Sequence, residues 1–488
     1  MVALSIGGNH SFFYCIQESY NIIYNGGNMK FCTFTFPDLS RIISNLSTVL
    51  LFSVLIALKI ACSPNSDPER QASGQPSDAP FVEVRDANFF IGDDPYYFVG
   101  FNYWYGMNLG ANLKDGDYDR LVRELDHLQQ LGVDNLRILA ASEGPDDQPW
   151  RVVPSTQPEP GVYNEDVLAG LDVLLDEMAK RDMYAVLVMN NFFQWSGGMA
   201  QYVSWVTGDP VPYPHDEEHT WDEYQTFANR FYALPEAREL YKDKVRHLLT
   251  RTNTVNGRAY TEDPTIMSWQ LANEPREFGN VEEYVDWVMA TSELITSHAP
   301  NQLVSLGGEG KLLNRHSMDT RFKELAESDA LDYLTIHLWI ENWNLYEPAT
   351  DPEGTFMHAI GKSMGYIADH VAIAEQANKP IVLEEFGVSR DGLDFDPAAP
   401  VTYRDRFLEV IFEATHHLAQ ERSAFAGLNI WTWSGEGYPE VPGEDWVPGK
   451  PLTGDPPHEE QGWYGIYDQD ESTLELIRRY NERINDLF

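Results

Sequence analysis

Apolar segments of strand length alternate with amphipathic helical segments along most of this chain. The strand-like segments are 97–104, 133–139, 184–189, 269–275, 303–306, 333–338, 381–384 and 426–432. The helical segments are 119–131, 166–181, 241–252, 282–299, 361–377, 403–420 and 473–487. Strands that alternate with helices favour a parallel sheet, and eight such strands favour a closed (β/α)8 TIM barrel of the α/β class.

The length of the chain predicts long loops at the C-terminal face of that barrel. A minimal barrel needs roughly 250 residues, and the surplus here lies mainly after the third and eighth strands. A doubly wound sheet would need a Gly-rich phosphate-binding turn after the first strand, and Gly100-Phe101-Asn102 is not such a turn. Residues 81–91 predict a small hairpin that caps the bottom of the barrel.

Composition excludes some classes of partner. The net charge is −42, whereas nucleic-acid binding requires clustered Lys and Arg. We therefore expect no nucleic-acid partner. Cys15, Cys32 and Cys62 are the three cysteines, so nothing after Cys62 can form a disulfide or a thiolate site. The 13 tryptophans and 25 tyrosines suit the stacking of flat ligand faces, such as those of sugar rings.

The first 80 residues predict an export segment and a linker. Residues 49–58 form an apolar run too short for a comfortable membrane span, and a small residue precedes Cys62 as in bacterial lipoprotein signals. We predict an export segment over 1–62, with an extension before Met29, a flexible tether over 63–80 and a catalytic barrel over 81–488. A lipidated Cys62 would place the protein in the cell envelope, at the outer membrane or cell surface. An uncleaved anchor or a plain secretory signal is the alternative.

Two strand-like segments end in acidic residues. Glu274 follows an apolar run and precedes Pro275, which disfavours the helical region for Glu274 and makes continued strand pairing unfavourable. Glu385 ends the seventh strand. In a parallel barrel the chemistry is done at the C-terminal ends of the strands. Two carboxyl groups about 5–5.5 Å apart would fit retaining glycoside hydrolysis.

The residues around these acids resemble a known family. The segments 273–275 (NEP) and 385–387 (EFG) resemble the signatures of glycoside hydrolase clan A, family 5. The segments 100–104 (GFNYW), 190–198 (NNFFQWSGG), 273–276 (NEPR) and 337–339 (HLW) are similar to endo-β-1,4-mannanases of that family, especially bacterial ones. The resemblance covers the chain from Phe81 onward.

The resemblance implies roles for five residues at the strand ends. Glu274 would be the acid/base and Glu385 the nucleophile. Arg137 would hydrogen-bond the nucleophile and help to keep it ionised. Asn273 would hold the 2-hydroxyl of the sugar, and His337 would line the site beside the cleaved bond. Arg137 as a structural ion pair and Asn273 as a strand-end cap are the alternatives.

The resemblance also implies an aromatic cleft. Trp431 would be the platform beneath the sugar at the cleavage site, with Trp433 the second candidate if the strand continues. Trp104 and Trp195 are candidate walls of outer subsites. Trp339 stands where the family often has a tyrosine whose hydroxyl contacts the nucleophile, and an indole has no such hydroxyl.

No cofactor or metal is expected, because the two carboxyl groups suffice and the histidines lack ligand spacing. Glu384 lies next to Glu385, and adjacent strand residues face opposite ways, so only one can face the substrate. The expected function is retaining endo-hydrolysis of β-1,4-linkages in mannan, glucomannan or galactomannan. An exo-acting β-mannosidase or a β-1,4-glucanase on the same barrel is one alternative, and a non-catalytic glycan-binding lipoprotein is another.

Overall fold

The computed structural model describes residues 80–488 except 114–115, 217 and 312–320, together with four short strands before residue 32. The chain divides into two compact units, Met1–Gln75 and Pro76–Phe488. In the first unit Ser5–Ile6 pairs with His10–Ser11, and Ile22–Asn25 pairs with Asn28–Phe31, both antiparallel. The predicted apolar run at 49–58, Cys62 and the tether as far as residue 79 lie outside the described residues.

The second unit contains an eight-stranded parallel barrel, as predicted. Its strands are β1 (Phe98–Asn102), β2 (Asn135–Leu139), β3 (Tyr184–Val188), β4 (Ile266–Gln270), β5 (Leu303–Ser305), β6 (Leu334–Leu338), β7 (Ile381–Phe386) and β8 (Phe425–Ile430). Strands β1 to β5 pair in chain order, β6 pairs with β7 and β7 with β8, and β8 pairs with β1, so that β5 and β6 are the two ends of the sheet. At the seam between β5 and β6, the backbone N–H of His337 donates to the carbonyl oxygen of Glu309 at 3.3 Å.

The helices pack around this barrel. They are α1 (Gly106–Gly110), α2 (Tyr118–Gln130), α3 (Glu165–Ala179), α4 (Gly198–Thr207), α5 (Trp221–Ala233), α6 (Pro235–Leu249), α7 (Val281–His298), α8 (Phe322–Ala326), α9 (Pro352–Ala377), α10 (Thr402–Gln420) and α11 (Glu471–Asn485). Two 3-10 turns span Gln194–Ser196 and Tyr260–Glu262. Among the described residues, every helix is too short or too polar to cross a lipid bilayer.

The bottom of the barrel is closed by the predicted hairpin. The strands Val82–Arg85 and Asn88–Ile91 pair antiparallel, and a third strand, Asp94–Tyr96, extends them. Val82 and Phe89 share one buried apolar cluster with residues from the lower parts of the barrel strands, among them Phe98 and Leu303. Burial of this apolar surface fixes the hairpin against the barrel, and the opposite face stays available for the site.

Several element boundaries differ from the prediction. The helix predicted at 361–377 begins nine residues earlier, because Asp351 caps it by accepting from the N–H of Gly354 and Pro352 occupies its first turn. The helix predicted at 241–252 likewise begins at Pro235. α4 and α5 lie in the aromatic-rich segment after β3, for which no helix was predicted. The Thr220–Glu223 capping box of α5 was the available signal.

Candidate active site

Glu274 and Glu385 lie close together at the C-terminal end of the barrel. Glu274 follows the end of β4 by four residues, whereas Glu385 belongs to β7 itself. One carboxylate oxygen of each residue lies within 4.8 Å of the other. Their side chains are only 5% and 4% exposed. This short separation is the one that retaining glycoside hydrolysis requires.

The backbone at Glu274 adopts a conformation that the sequence did not predict. Its φ is +48°, in the left-handed region that non-glycine residues rarely adopt. Pro275 disfavours only the right-handed helical region, so the proline rule left this alternative open. The N–H of Glu274 donates to the carbonyl oxygen of Gly307 at 2.8 Å. Gly307 must itself be glycine, because a Cβ there would lie 2.0 Å from the carbonyl oxygen of Ala272.

Arg137 connects the two halves of the site. Its guanidinium donates to Glu385 Oε1 at 2.5 Å and to Asn273 Oδ1 at 2.8 Å. It also donates to Asn102 at 3.0 Å and to Gln270 at 2.8 Å. Burial alone would raise the pKa of Glu385, but His337 and Arg137 outweigh it and lower that pKa. The contact between Arg137 and Glu385 that the sequence predicted is present, and it keeps Glu385 ionised.

His337 lies between the two carboxylates. Its Nδ1 is 2.7 Å from Glu274 Oε1 and 3.2 Å from Glu385 Oε2, and the ring is fully buried. Burial disfavours the charged ring, but the two carboxylates outweigh it and raise the pKa of His337 to about 10. His337 is therefore a cation shared by the pair, which sequence reasoning had placed in the site without this charge.

The side chain of Asn273 is engaged by protein groups on both sides. Its Oδ1 accepts from Arg137, and its Nδ2 donates to Asn191 Oδ1 at 3.2 Å. Asn191 also forms an isolated bridge with Asn273 through the backbone. These contacts hold the amide beside Glu274. Its predicted contact with the 2-hydroxyl of a sugar stays a prediction.

The interior of the barrel below the pair holds two groups that the sequence analysis did not assign to the site. Gln270 Nε2 donates to both carboxylate oxygens of Glu384 at 2.8 Å, while its Oε1 accepts from Arg137. Glu384 also lies 3.6 Å from the Nε of Arg137. Alternation along β7 predicted that Glu384 and Glu385 face opposite ways, but the side chains of both contact Arg137. The register of β7 against β6 shifts at this point, because Ile336 pairs with Leu383 and His337 with Glu385.

A second arginine contacts Glu274 from the opposite side. Arg276 Nη2 donates to Glu274 Oε2 at 3.1 Å and to Glu309 Oε1 at 2.7 Å. Its Nε donates to Glu309 Oε2 at 2.6 Å, which makes the pair with Glu309 bidentate. The motif at 273–276 contains Arg276 but indicates no role for it, and Glu309 was not predicted as a site residue although it follows the fifth strand.

Trp431 and Trp339 stand side by side directly after β8 and β6. Their rings are 6.0 Å apart at 80°, and Tyr464 packs against Trp339 at 5.1 Å. The Cβ that Gly387 lacks would lie 3.6 Å from the Trp339 ring, and the strands that precede the two tryptophans, β6 and β8, are the neighbours of the strand that carries Glu385. Their predicted roles in binding sugar stay predictions.

Trp104 and Trp195 pack against each other. Their rings meet edge to face at 5.4 Å, and they are only 3% and 4% exposed. Trp195 also stacks on His458, and Trp104 Nε1 donates to the carbonyl oxygen of Gly454 at 2.6 Å. They form a wall between loops, and their contact with sugar stays a prediction. Trp433 does not belong to the cleft: β8 ends at Ile430, and Trp433 is fully buried against Phe101.

The loops after β2, β3 and β8 meet beside the site. Trp150 Nε1 donates to Asp445 Oδ2 at 2.8 Å, and the rings of His215 and His458 meet edge to face at 5.6 Å. Next to His458, burial and the surrounding carboxylates raise the pKa of Glu459 well above its ordinary value. The long loops predicted after the third and eighth strands therefore form one continuous wall.

The site is poorly suited to a metal ion. Among the described residues, Glu274, His337 and Glu385 are a group with the spacing of a metal site. However, a metal-binding histidine must be neutral, and His337, with its pKa at about 10, is charged. Arg137 and Arg276 already neutralise the neighbouring carboxylates. The trio is therefore an ion-paired cluster, from which a metal would have to displace the proton of His337.

A pair of buried carboxyl groups at the mouth of an eight-stranded parallel barrel, one of them held ionised, defines a glycoside hydrolase. Comparison with known proteins agrees with that class. Residues 79–487 match the family described as GH family 5 beta-mannosidase-like. The protein therefore belongs to this family.

Individual relatives are consistent with this assignment. Mannan endo-1,4-beta-mannosidase 5 of Solanum lycopersicum is 28% identical and covers 74% of this chain and 83% of its own. The structure of a glycoside hydrolase family 5 mannosidase from Rhizomucor miehei is 41% identical, with a TM-score of 0.77, over 83% of this chain and 98% of its own. A mutant of that mannosidase was solved in complex with mannosyl-fructose. An endo-beta-1,4-mannanase from Thermotoga petrophila, 23% identical with a TM-score of 0.57 over 80% of this chain and 78% of its own, shares the fold.

The charge on His337 predicts a specific dependence of stability on pH. A histidine whose pKa rises to about 10 on folding stabilises the fold fully below about pH 6.5, and this stabilisation is lost as the pH rises towards 10. We expect the free energy of unfolding of His337→Asn to fall less than that of the wild type between pH 6.5 and 10, by roughly 1–3 kcal/mol. Urea unfolding at a series of pH values measures this difference.

His370 provides the matched control. It is also buried, but burial lowers its pKa to about 4, so it is neutral in both the folded and the unfolded state above about pH 7.5. His370→Asn should therefore leave the slope of stability against pH unchanged between about pH 7.5 and 10. Equal slopes for His337→Asn and the wild type would contradict a charged His337.

Proposed function

We propose that this protein hydrolyses internal β-1,4-mannosidic linkages of mannan, glucomannan or galactomannan, with retention of configuration. The observation that carries the proposal is the pair of carboxylates, Glu274 and Glu385, within 4.8 Å of each other at the mouth of the barrel. The double displacement needs one carboxyl group that donates a proton and one carboxylate that attacks. The environment of Glu385 meets the second requirement, because His337 and Arg137 lower its pKa.

The first step forms a covalent intermediate on Glu385. The carboxylate of Glu385 attacks the anomeric carbon while the bond from that carbon to the glycosidic oxygen breaks. Glu274 gives its proton to the departing oxygen, which leaves as a hydroxyl group of the second sugar. Arg137 and His337 favour the ionised form of Glu385 before this attack. The products are a glycosyl ester of Glu385 and an ionised Glu274.

The second step releases the sugar. Glu274 now acts as a base and takes a proton from a water molecule, whose oxygen attacks the same anomeric carbon. The ester bond to Glu385 breaks, and the electron pair returns to its carboxylate. Glu274 is protonated again at the end of the cycle. Two inversions at one carbon give net retention, which is the stereochemical outcome general to glycoside hydrolase family 5.

The assignment of a mannan substrate has two sources of support. The name of the tomato relative describes an enzyme that cuts mannan internally. The Rhizomucor mannosidase, which is 41% identical, was solved with a mannosyl sugar. Trp431 and Trp339, which flank the strand of Glu385, are suited to contact the apolar faces of such rings.

An exo-acting β-mannosidase is the second candidate function. The observation that favours it is the wall made by the loops after β2, β3 and β8, in which Trp150 bonds Asp445 and His215 meets His458. A wall across one end of a cleft would admit a chain end and exclude a chain interior. The Rhizomucor relative is called a mannosidase. The two functions differ in the products that they release.

A panel of polysaccharides tests the proposed function. We expect release of reducing sugar from linear mannan, glucomannan and galactomannan, and no comparable release from cellulose or mixed-linkage β-glucan. Product sizes should fall through a broad range of oligosaccharides from the first minutes. Accumulation of mannose alone from the start would replace internal cleavage by end-wise cleavage. If none of the polysaccharides were cut, the enzymatic function would be refuted.

Substitution of the two carboxyl groups tests their roles. Glu274→Gln and Glu385→Gln should each lower kcat by about 10³-fold or more, since each removes a group that acts in the transition state. Azide should restore turnover of Glu385→Ala through a glycosyl azide of inverted configuration, because a small anion fits where the nucleophile was. Unfolding midpoints measured in parallel separate loss of chemistry from loss of fold. Near-normal hydrolysis by Glu385→Gln would contradict the nucleophile.

We also propose that the protein is exported and lipidated on Cys62. The proposal is supported by the apolar run at 49–58, the small residue before Cys62 and the Ser/Pro-rich stretch after it. Mass spectrometry of the mature protein from its native membranes should find a diacylated Cys62 at the N-terminus. A mature chain that begins at another residue would refute lipidation, and Cys62→Ala provides the control.

A further inference from the structure

Arg276 creates an electrostatic problem for the proposed proton donor. Its guanidinium donates to Glu274 Oε2 at 3.1 Å, and its side chain is only 13% exposed. An opposite charge at this distance in a buried site favours the ionised form of a carboxyl group. A general acid must instead carry its proton at working pH. An unopposed Arg276 would therefore weaken the activity that Glu274 is proposed to perform.

Glu309 supplies the opposing charge. Both of its carboxylate oxygens accept from Arg276, at 2.6 and 2.7 Å, whereas Glu274 accepts a single bond at 3.1 Å. The bidentate geometry is the stronger of the two arrangements. Two carboxyl groups thus share the guanidinium of Arg276, and its interaction with Glu309 is stronger than its interaction with Glu274.

The backbone fixes Glu309 in this position. Its carbonyl oxygen accepts from the N–H of His337 across the barrel seam and from the hydroxyl of Tyr366. Its side chain is 1% exposed. Arg276 is held as well, because Nη1 donates to Gln225 at 3.3 Å and the guanidinium lies 4.9 Å from the centre of the Phe193 ring. These contacts hold both Glu309 and Arg276 in place, so the ion pair cannot separate without rearrangement of its neighbours.

We propose that Glu309 is a positioning residue that engages Arg276 in a bidentate pair, so that Arg276 orients Glu274 through one hydrogen bond without keeping it ionised. The inference rests on the proposed acid/base function of Glu274. It extends that function to a residue on a different strand end, which makes no contact of its own with the reacting atoms.

The other charged groups near Glu274 come from four further strand ends or helices. His337 faces it from β6 and Glu385 from β7. Glu459, in the loop after β8, and Tyr366, in α9, both interact with its charge. Because these groups are unchanged in variants of Glu309 and Arg276, differences between the variants isolate the ion pair.

The two partners of the pair should shift the pH profile in opposite directions. Glu309→Gln leaves Arg276 unopposed beside Glu274, so the alkaline limb of kcat/KM, which reports the acid of the free enzyme, should move to lower pH by about one unit. Arg276→Met removes the cation, and the unpaired Glu309 then takes a proton to become neutral. The alkaline limb of the Arg276→Met variant should therefore move to higher pH. Glu309→Asp, which keeps the charge, should return the limb towards the wild-type position.

A remote ion pair of the same kind is the control. Asp172 is fully buried and bonds Arg251 through both oxygens, at 2.9 and 2.8 Å, on the helical side of the barrel. Asp172→Asn should lower stability but leave the alkaline limb unmoved. Shifts of Glu309→Gln and Arg276→Met in the same direction, or an unmoved limb in both, would overturn the inference while the proposed function stands.

A direct titration separates the inference from the proposed function. Carboxyl-carbon NMR of glutamate-labelled protein, with the Glu274 resonance identified by its loss in Glu274→Gln, follows protonation without substrate. In Glu309→Gln this resonance should titrate about one pH unit lower than in the wild type. An unchanged titration would overturn the role of Glu309. Failure of the wild type to hydrolyse any mannan would instead overturn the proposed function, whatever the titration shows.

Discussion

The site depends on Arg137, a single buried cation on β2. Its guanidinium reaches Glu385 on β7, Asn273 after β4, Gln270 on β4 and Asn102 on β1. Acceptors from three other strands, β1, β4 and β7, therefore converge on one planar group, whose fixed donor geometry sets where each acceptor lies. Removing it would leave buried acceptors and carboxylates without a partner, which is far costlier than the net gain of each bond.

The fold was predictable because its signals are local. Apolar runs of strand length and amphipathic helices repeat along the chain, and all eight predicted strands are present. The fourth, predicted at 269–275, lies earlier, at Ile266–Gln270. The failures were local as well. α4 and α5 bury aromatic residues against each other and against α6, so their apolar positions do not form one stripe that faces the barrel. For α9, the Asp351 and Pro352 start signal was present in the sequence but not used.

The site was predictable only in part, because its members lie on different strands. A carboxylate at a strand end and the resemblance of short motifs were enough to bring Glu274, Glu385, Arg137, Asn273 and His337 together. They could not identify Glu309 or Glu384, whose importance comes from partners that only barrel closure supplies. The left-handed backbone of Glu274 was likewise hidden, since it depends on the carbonyl oxygen of Gly307 on the next strand end. Local sequence indicates where a side chain lies along a strand, and tertiary pairing decides which charge it meets.

The charges of the site explain why these partners matter. Four buried carboxyl groups, those of Glu274, Glu309, Glu384 and Glu385, face three cations, Arg137, Arg276 and His337. An uncompensated buried charge is costly, so the cluster favours one additional proton, which the four carboxyl groups share. Arg137 and His337 hold that proton away from Glu385. Gln270 donates to both oxygens of Glu384, and Arg276 to both oxygens of Glu309, but burial outweighs these contacts and raises the pKa of both carboxyl groups. The additional proton is therefore left to the other three carboxyl groups, and among them the proposed acid, Glu274, accepts only one bond from Arg276, at 3.1 Å.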